Sequence, residues 1–272
     1  MNRQELVSQI KNKKSFLCVG LDTDITKIPA HLLSEKNPVL AFNKAIIEAT
    51  KSVAVSYKIN TAFYESMGKQ GWETMEETLA LIPSTIFTIA DAKRGDIGNT
   101  SNMYAKAFFE TLKFDSITLA PYMGKDSIEP FFAYKDKWGI LLALTSNPGS
   151  ADYEQQQMGN KKLYEHVIEK TTQYTTDQNL MFVVGATKPE ELGAIRKMVP
   201  SHFFLVPGVG AQGGSLVDVC NAGINADCGL LINASRSIIY ASNGKNFADN
   251  ANREAVFMAN EMAQILTQKN IL

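Results

Sequence analysis

The stretch IADAKRGDIGNT, residues 89–100, places two acids and two bases, Asp91, Lys93, Arg94 and Asp96, within six positions, directly after the apolar run Ile86-Phe87-Thr88-Ile89-Ala90. Asp91 and Lys93 are two apart, which on an extended strand puts both side chains on one face. Asp96 can turn back towards them through Gly95. A second lysine, Lys58, lies at the end of another apolar run, 53–59. A set of Lys58, Asp91, Lys93 and Asp96 keeps each ammonium protonated, because an opposite charge nearby favours the ionised form. The chemistry open to such a set is acid–base work by lysine and carboxylate. Its other use is an ion-pair network bracing the fold, and desolvation makes buried pairs a poor source of stability.

A second group of residues suits an anion. PGVGAQGG, residues 207–214, has four glycines in eight positions, so backbone N–H groups can approach a ligand closely. Pro207, Gly208 and Gln212 belong to it. Ser235 and Arg236 follow the last apolar run, and a planar guanidinium grips a phosphate with two hydrogen bonds. Loops after late strands of a barrel often bind phosphate near a helix N-terminus. Together these loops predict a phosphorylated ligand.

The elements that must position these groups repeat eight times. Apolar runs at 16–21, 53–59, 85–90, 116–120, 139–144, 180–184, 203–206 and 230–232 alternate with helical stretches near 39–50, 72–81, 100–112, 128–134, 161–175, 189–198, 215–222 and 247–267. Continuously apolar strands alternating with amphipathic helices indicate a parallel sheet. Eight such units predict a (β/α)8 TIM barrel, read as a single domain over 1–272, with a doubly wound open sheet as the runner-up. The polar residues then gather at the strand C-termini: Asp22 after the first run, Lys58 at the second, Asp91, Lys93 and Asp96 at the third, Ser146 and Asn147 after the fifth, and the glycine loop and Arg236 at the last two. In a barrel that rim carries catalysis. The polar connection 150–160, SADYEQQQMGN, suits either a lid or a plain surface loop.

Composition narrows the partners. Lys and Arg total 27 against 28 Asp and Glu, which leaves no basic excess for nucleic acid or a membrane surface. No apolar stretch approaches the roughly 18 residues of a membrane span, and the N-terminus lacks a signal-peptide core. Cys18, Cys220 and Cys228 form no C-x-x-C pair. They are expected as buried thiols of a reducing, cytoplasmic setting rather than as zinc ligands. His31, His166 and His202 are the only histidines, so neither a histidine triad nor a metal cluster is expected, and His202 reads as a satisfied structural residue.

With these residues in place the sequence resembles the orotidine 5'-phosphate decarboxylase family, from GLD at 20–22 to SRSI at 235–238. DAKRGDIGNT is similar to the family's D-x-K-x-x-D-I-x-x-T signature, in the form of its longer bacterial branch. YKINTAFYE at 57–65 resembles that branch's lysine segment, TSNPG at 145–149 its pyrimidine loop, and PGVGAQGG its phosphate loop. The resemblance implies loss of CO2 from orotidine 5'-monophosphate to give uridine 5'-monophosphate, the last step of de novo pyrimidine biosynthesis, with no cofactor and no metal. It also implies a homodimer with shared active sites. Lys93 then protonates pyrimidine C6, Asp91 faces the substrate carboxylate, and Lys58 and Asp96 complete the network, Asp96 and Thr100 reaching across from the neighbouring subunit. Asp22 matches a ribose-hydroxyl ligand, Ser146 a pyrimidine contact, and Gln212 and Arg236 the phosphate grip. Asn60 departs from other members. The alternatives are a metal-dependent sugar-phosphate decarboxylase or aldolase on the same barrel, and a non-catalytic nucleotide-binding protein.

Overall fold

The computed structural model describes residues 1–209 and 214–272. Among the described residues there are ten strands: β1 (Leu17–Gly20), β2 (Ala54–Asn60), β3 (Phe87–Arg94), β4 (Ser116–Leu119), β5 (Trp138–Leu144), β6 (Gln157–Met158), β7 (Lys161–Lys162), β8 (Leu180–Val184), β9 (Phe203–Pro207) and β10 (Leu230–Ala234). All but β6 and β7 close a barrel in the order β1-β10-β9-β8-β5-β4-β3-β2. The fold is the expected (β/α)8 barrel rather than an open sheet. Its strands are buried along almost their whole length, as in β1 and β8. Side chains fill the inside of such a barrel while helices cover the outside, which is why the sequence shows apolar runs rather than alternation.

The chain divides into two compact units, one of Met1–Gln4 with Lys93–Ile232, the other of Glu5–Ala92 with Asn233–Leu272. The divisions fall between Gln4 and Glu5 and inside β3 and β10. The second unit holds α2 (Pro38–Thr50), α3 (Thr61–Glu65), α4 (Lys69–Leu81), α10 (Arg236–Ile239) and α11 (Phe247–Gln268). Asn37 caps α2 by accepting from the Leu40 amide, with Pro38 in the first turn, where a missing N–H costs nothing. In α11 the buried residues Ala251, Ala255, Ala259, Met262 and Leu266 recur at helical spacing, and Phe247 stacks on Phe42 of α2 with centroids 5.2 Å apart. Buried Asn43 accepts from the Thr23 hydroxyl at 2.6 Å and donates to those of Tyr64 and Thr78 at 2.9 and 3.0 Å.

The other unit carries β4, β5, β8 and β9 with α5 (Gly98–Lys106), α6 (Lys125–Phe132), α7 (Leu163–Thr171), α8 (Pro189–Met198) and α9 (Leu216–Gly223). At its base the Arg196 guanidinium donates to the carbonyls of Gly223, His202 and Gly229 at 2.7, 2.6 and 3.0 Å. It also lies 3.7 Å over the Phe204 ring. Five donors in a rigid fork make arginine suited to collecting loop carbonyls.

Several local expectations are corrected. Helix α1 (Arg3–Lys13) has no counterpart in the eight-unit reading, because only Leu6 and Ile10 on it are buried apolar residues and two positions make a faint stripe. The helix expected over 100–112 becomes α5 followed by a π-helical turn, Ala107–Thr111. The 150–160 segment is not a plain loop. Gln157–Met158 pairs antiparallel with Lys161–Lys162, turned by Gly159 at φ +69, a conformation glycine reaches without a Cβ penalty. Strand β3 continues to Arg94, so Asp91, Lys93 and Arg94 lie on the strand and Asp96 just beyond it.

Candidate active site

Lys58 sits near the C-terminal end of β2 and is 4% exposed. Its Nζ lies 2.9 Å from Asp91 Oδ2 on β3 and 3.1 Å from Asp22 Oδ1, just past β1. The strand register brings them together, since Gly20 pairs with Lys58 and Asn60 with Asp91. Burial alone would lower the Lys58 pKa. The Asp22 and Asp91 carboxylates outweigh it and hold the ammonium above its ordinary value. A buried lysine is thus fixed as a cation. Asp22, expected as a ribose ligand, is also a partner of this lysine. The turn that carries it is fastened by two tyrosines: Tyr64 donates to the Leu21 carbonyl at 3.0 Å and Tyr240 to that of Asp22 at 3.2 Å.

Lys93 is the penultimate residue of the strand that carries Asp91, but it is exposed and its φ is +48. The two-residue spacing argument holds only for extended backbone, so it does not place the Lys93 side chain. A left-handed non-glycine residue costs about 1–2 kcal/mol and is found where the surroundings enforce it. Here the Lys93 amide donates to the Thr118 hydroxyl at 2.9 Å. Downstream, the half-buried Asp96 accepts from the Ile97 amide at 2.7 Å through Oδ1, and its own amide donates to the Ser101 hydroxyl at 3.0 Å. Thr100 is exposed in the first turn of α5. Asn60 caps α3 by accepting from the Ala62 amide at 3.3 Å.

The TSNPG loop leaves β5. Thr145 donates its amide to Glu154 Oε2 at 2.7 Å, and its hydroxyl lies 2.6 Å from Asn147 Oδ1. Ser146 packs against Gly185, where an added Cβ would meet the Ser146 Cβ at 2.9 Å. Ser146, Asn147, Gln155, Lys188 and Glu191 are among the residues lining a cavity of about 320 Å³.

Pro207 closes β9 and its carbonyl accepts from the Ala186 amide at 3.2 Å. Gly208 follows at φ +95, and its carbonyl accepts from the Gly214 amide at 3.3 Å. Gln212 lies outside the described residues.

At the end of β10, Asn233 donates to the Ser235 hydroxyl at 3.3 Å. A Cβ on Gly20 would lie 1.8 Å from Ser235 Oγ, so only glycine in β1 leaves room for this serine. Arg236 begins α10 exposed and makes no ion pair among the described residues. The three cysteines are buried thiols outside any disulfide, and burial pushes the Cys18 thiol up to about 12. His202 is buried as expected, yet neither ring nitrogen has a hydrogen-bond partner among the described residues. No cluster of three or more His, Cys, Asp or Glu among the described residues is arranged to hold a metal, and none of the described helices is long and apolar enough to cross a membrane.

Sequence reasoning gave no role to Thr118, Glu154, Tyr64 or Tyr240. Each bonds a main-chain group of another segment, and even Tyr64, which lies within YKINTAFYE, carries no sign of its partner.

An eight-stranded parallel barrel with a caged lysine, a second lysine and an arginine at strand C-termini has the layout of a barrel enzyme. The family model for "Orotidine 5'-phosphate decarboxylase / HUMPS family" matches residues 15–251. A relative from Christiangramia forsetii named orotidine 5'-phosphate decarboxylase is 58% identical over 98% of this chain and 99% of its own. One of the same name from Flavobacterium johnsoniae is 56% identical over 99% and 100%. The solved structure of Leishmania donovani OMP decarboxylase superposes with a TM-score of 0.81 at 37% identity, covering 95% of this chain and 99% of that one. The chain belongs to the orotidine 5'-phosphate decarboxylase / HUMPS family.

Proposed function

We propose that this chain decarboxylates orotidine 5'-monophosphate to uridine 5'-monophosphate, the closing step of pyrimidine nucleotide synthesis, as one catalytic barrel spanning 1–272. The observation that carries the reading is the buried Lys58 ammonium held between Asp22 and Asp91, with Lys93 two residues further along the same strand. Names of full-length relatives above half identity support it.

In this reading the bond from C6 to the carboxylate breaks and its electron pair stays on C6. The Lys93 ammonium stabilises that charge and gives C6 a proton, then regains one from solvent. The anion has no ring position to spread into, so fixed charges must stabilise it. Asp91, held by Lys58, faces the departing carboxylate. Enzymes lower barriers by roughly 8–23 kcal/mol, and one lysine cannot supply the upper end. Binding of the remote phosphate by Pro207, Gly208, Gln212, Ser235 and Arg236 contributes by orienting the reacting ring. Ser146 and Asn147 contact the pyrimidine, and Asp22 a ribose hydroxyl. Asp96 and Thr100 serve a partner subunit's site in a cytoplasmic homodimer. No cofactor enters this scheme.

The test follows loss of orotidine 5'-monophosphate absorbance in excess EDTA, with wild-type protein and Lys93→Ala. Turnover by the wild type, with uridine 5'-monophosphate as product, and none by Lys93→Ala at retained nucleotide binding is the expected result. A folded wild type that is inactive until Mg²⁺ and a keto-sugar phosphate are supplied would replace this reading with the metal-dependent one.

A further inference from the structure

Lys93 adopts its left-handed conformation on a strand, where the preceding residues are extended. In a parallel ladder an amide such as this one ordinarily donates to a neighbouring main-chain carbonyl. Here the acceptor is a side chain, the Thr118 hydroxyl on β4, at 2.9 Å. One residue on, the main-chain bond resumes, with the Ala120 amide donating to the Arg94 carbonyl at 2.9 Å. The strands stay close beyond the kink, since a Cβ on Gly95 would lie 2.7 Å from the Ala120 carbonyl oxygen. Thr118 is itself buried, and its register partner is Ile140 of β5. The Thr118 hydroxyl therefore accepts the Lys93 amide at the residue where β3 turns left-handed.

We propose that Thr118 is a positioning residue: its hydroxyl holds the Lys93 backbone in the left-handed conformation and so sets the direction in which the lysine leaves the strand. The inference rests on Lys93 being the proton donor described above. Backbone φ fixes the direction of the Cα–Cβ bond, so relaxation of Lys93 to extended geometry would redirect its side chain while leaving the phosphate and ribose contacts in place. The effect belongs in turnover rather than in substrate binding.

The experiment compares Thr118→Val, which keeps the shape and removes the hydroxyl, with Thr118→Ser, which keeps the hydroxyl. Steady-state kinetics on orotidine 5'-monophosphate are expected to show kcat of Thr118→Val reduced roughly 10- to 100-fold, the scale of a misplaced catalytic group, at a KM within about threefold of wild type. Thr118→Ser should keep kcat within about threefold of wild type, since the bond survives. Should the valine protein fail to fold, Thr118→Ala against Thr118→Ser makes the same comparison, the two differing by the hydroxyl alone. Wild-type turnover by a folded Thr118→Val or Thr118→Ala protein would overturn the proposal, as would Thr118→Ser losing as much as either. If Lys93→Ala is inactive and Thr118→Val is not, only this inference falls. If Lys93→Ala turns over normally, the reading beneath it falls as well.

Discussion

Lys58 Nζ lies 2.9 Å from Asp91 Oδ2, and the pair is nearly shielded from water, with the lysine side chain 5% and the aspartate 12% exposed. The same nitrogen holds Asp22 at 3.1 Å, so one cation serves two carboxylates. Removing one partner of a buried pair leaves uncompensated charge, at about 3–5 kcal/mol. Lys58→Met is expected to lower unfolding free energy by about that amount in urea titrations at neutral pH, and to abolish turnover. A loss under about 1 kcal/mol would mean that water reaches the carboxylates and that the cage is not sealed.

Arg236 is exposed and without an ion pair among the described residues, so its removal has no partner to strand. Arg236→Ala is expected to leave the unfolding free energy within about 0.5 kcal/mol of wild type. It should raise KM about tenfold or more through loss of a charge-assisted bond to phosphate. An unchanged KM would remove Arg236 from the phosphate grip.

Glu154 ties down the TSNPG loop through the Thr145 amide and hydroxyl, at 2.7 and 2.9 Å. Glu154→Ala should free Ser146 and Asn147 and lower kcat/KM about tenfold, the scale of bonds to a charged group. Binding of uridine 5'-monophosphate, measured by calorimetry, should weaken in parallel. Unaltered kinetics would show that the loop is held without Glu154, for example by its packing on Gly185.

His202 supplies a pH dependence. Burial lowers its pKa from 6.5 to about 4. The unfolded chain therefore binds a proton that the folded chain refuses between these values, and stability rises with pH across that window. The contribution is complete above pH 6.5 and lost as pH falls towards 4, at most roughly 3 kcal/mol by 1.36 kcal/mol per pH unit. His202→Phe, which can pack tilted against Phe182 as the imidazole does, should flatten the pH 4–6.5 portion of a stability curve measured by urea denaturation. An unchanged slope there would assign the acid sensitivity to other groups.

The barrel was legible in the sequence because each strand is covered on both faces and so reads as an apolar run, while charges cannot remain in that core and gather where strands end. The identities at those ends, Asp22, Lys58, Asp91, Lys93 and Arg236, followed from this without knowledge of any contact. Helix α1 escaped the reading because its buried stripe is only two residues wide.

The sequence by itself determined the eight strand–helix units and which polar residues lie at the strand ends, since local burial sets the period of the hydrophobic pattern. Tertiary structure alone decided the pairings. Lys58 meets Asp22 across 36 positions, Thr118 takes the Lys93 amide across 25, and Gly20 leaves the space that Ser235 occupies. Such contacts are fixed by strand register and by the close approach of neighbouring backbones, neither of which has a period to read. The same holds for the φ of +48 at Lys93: nothing in Ala-Lys-Arg asks for it, and a hydroxyl on the next strand accompanies it.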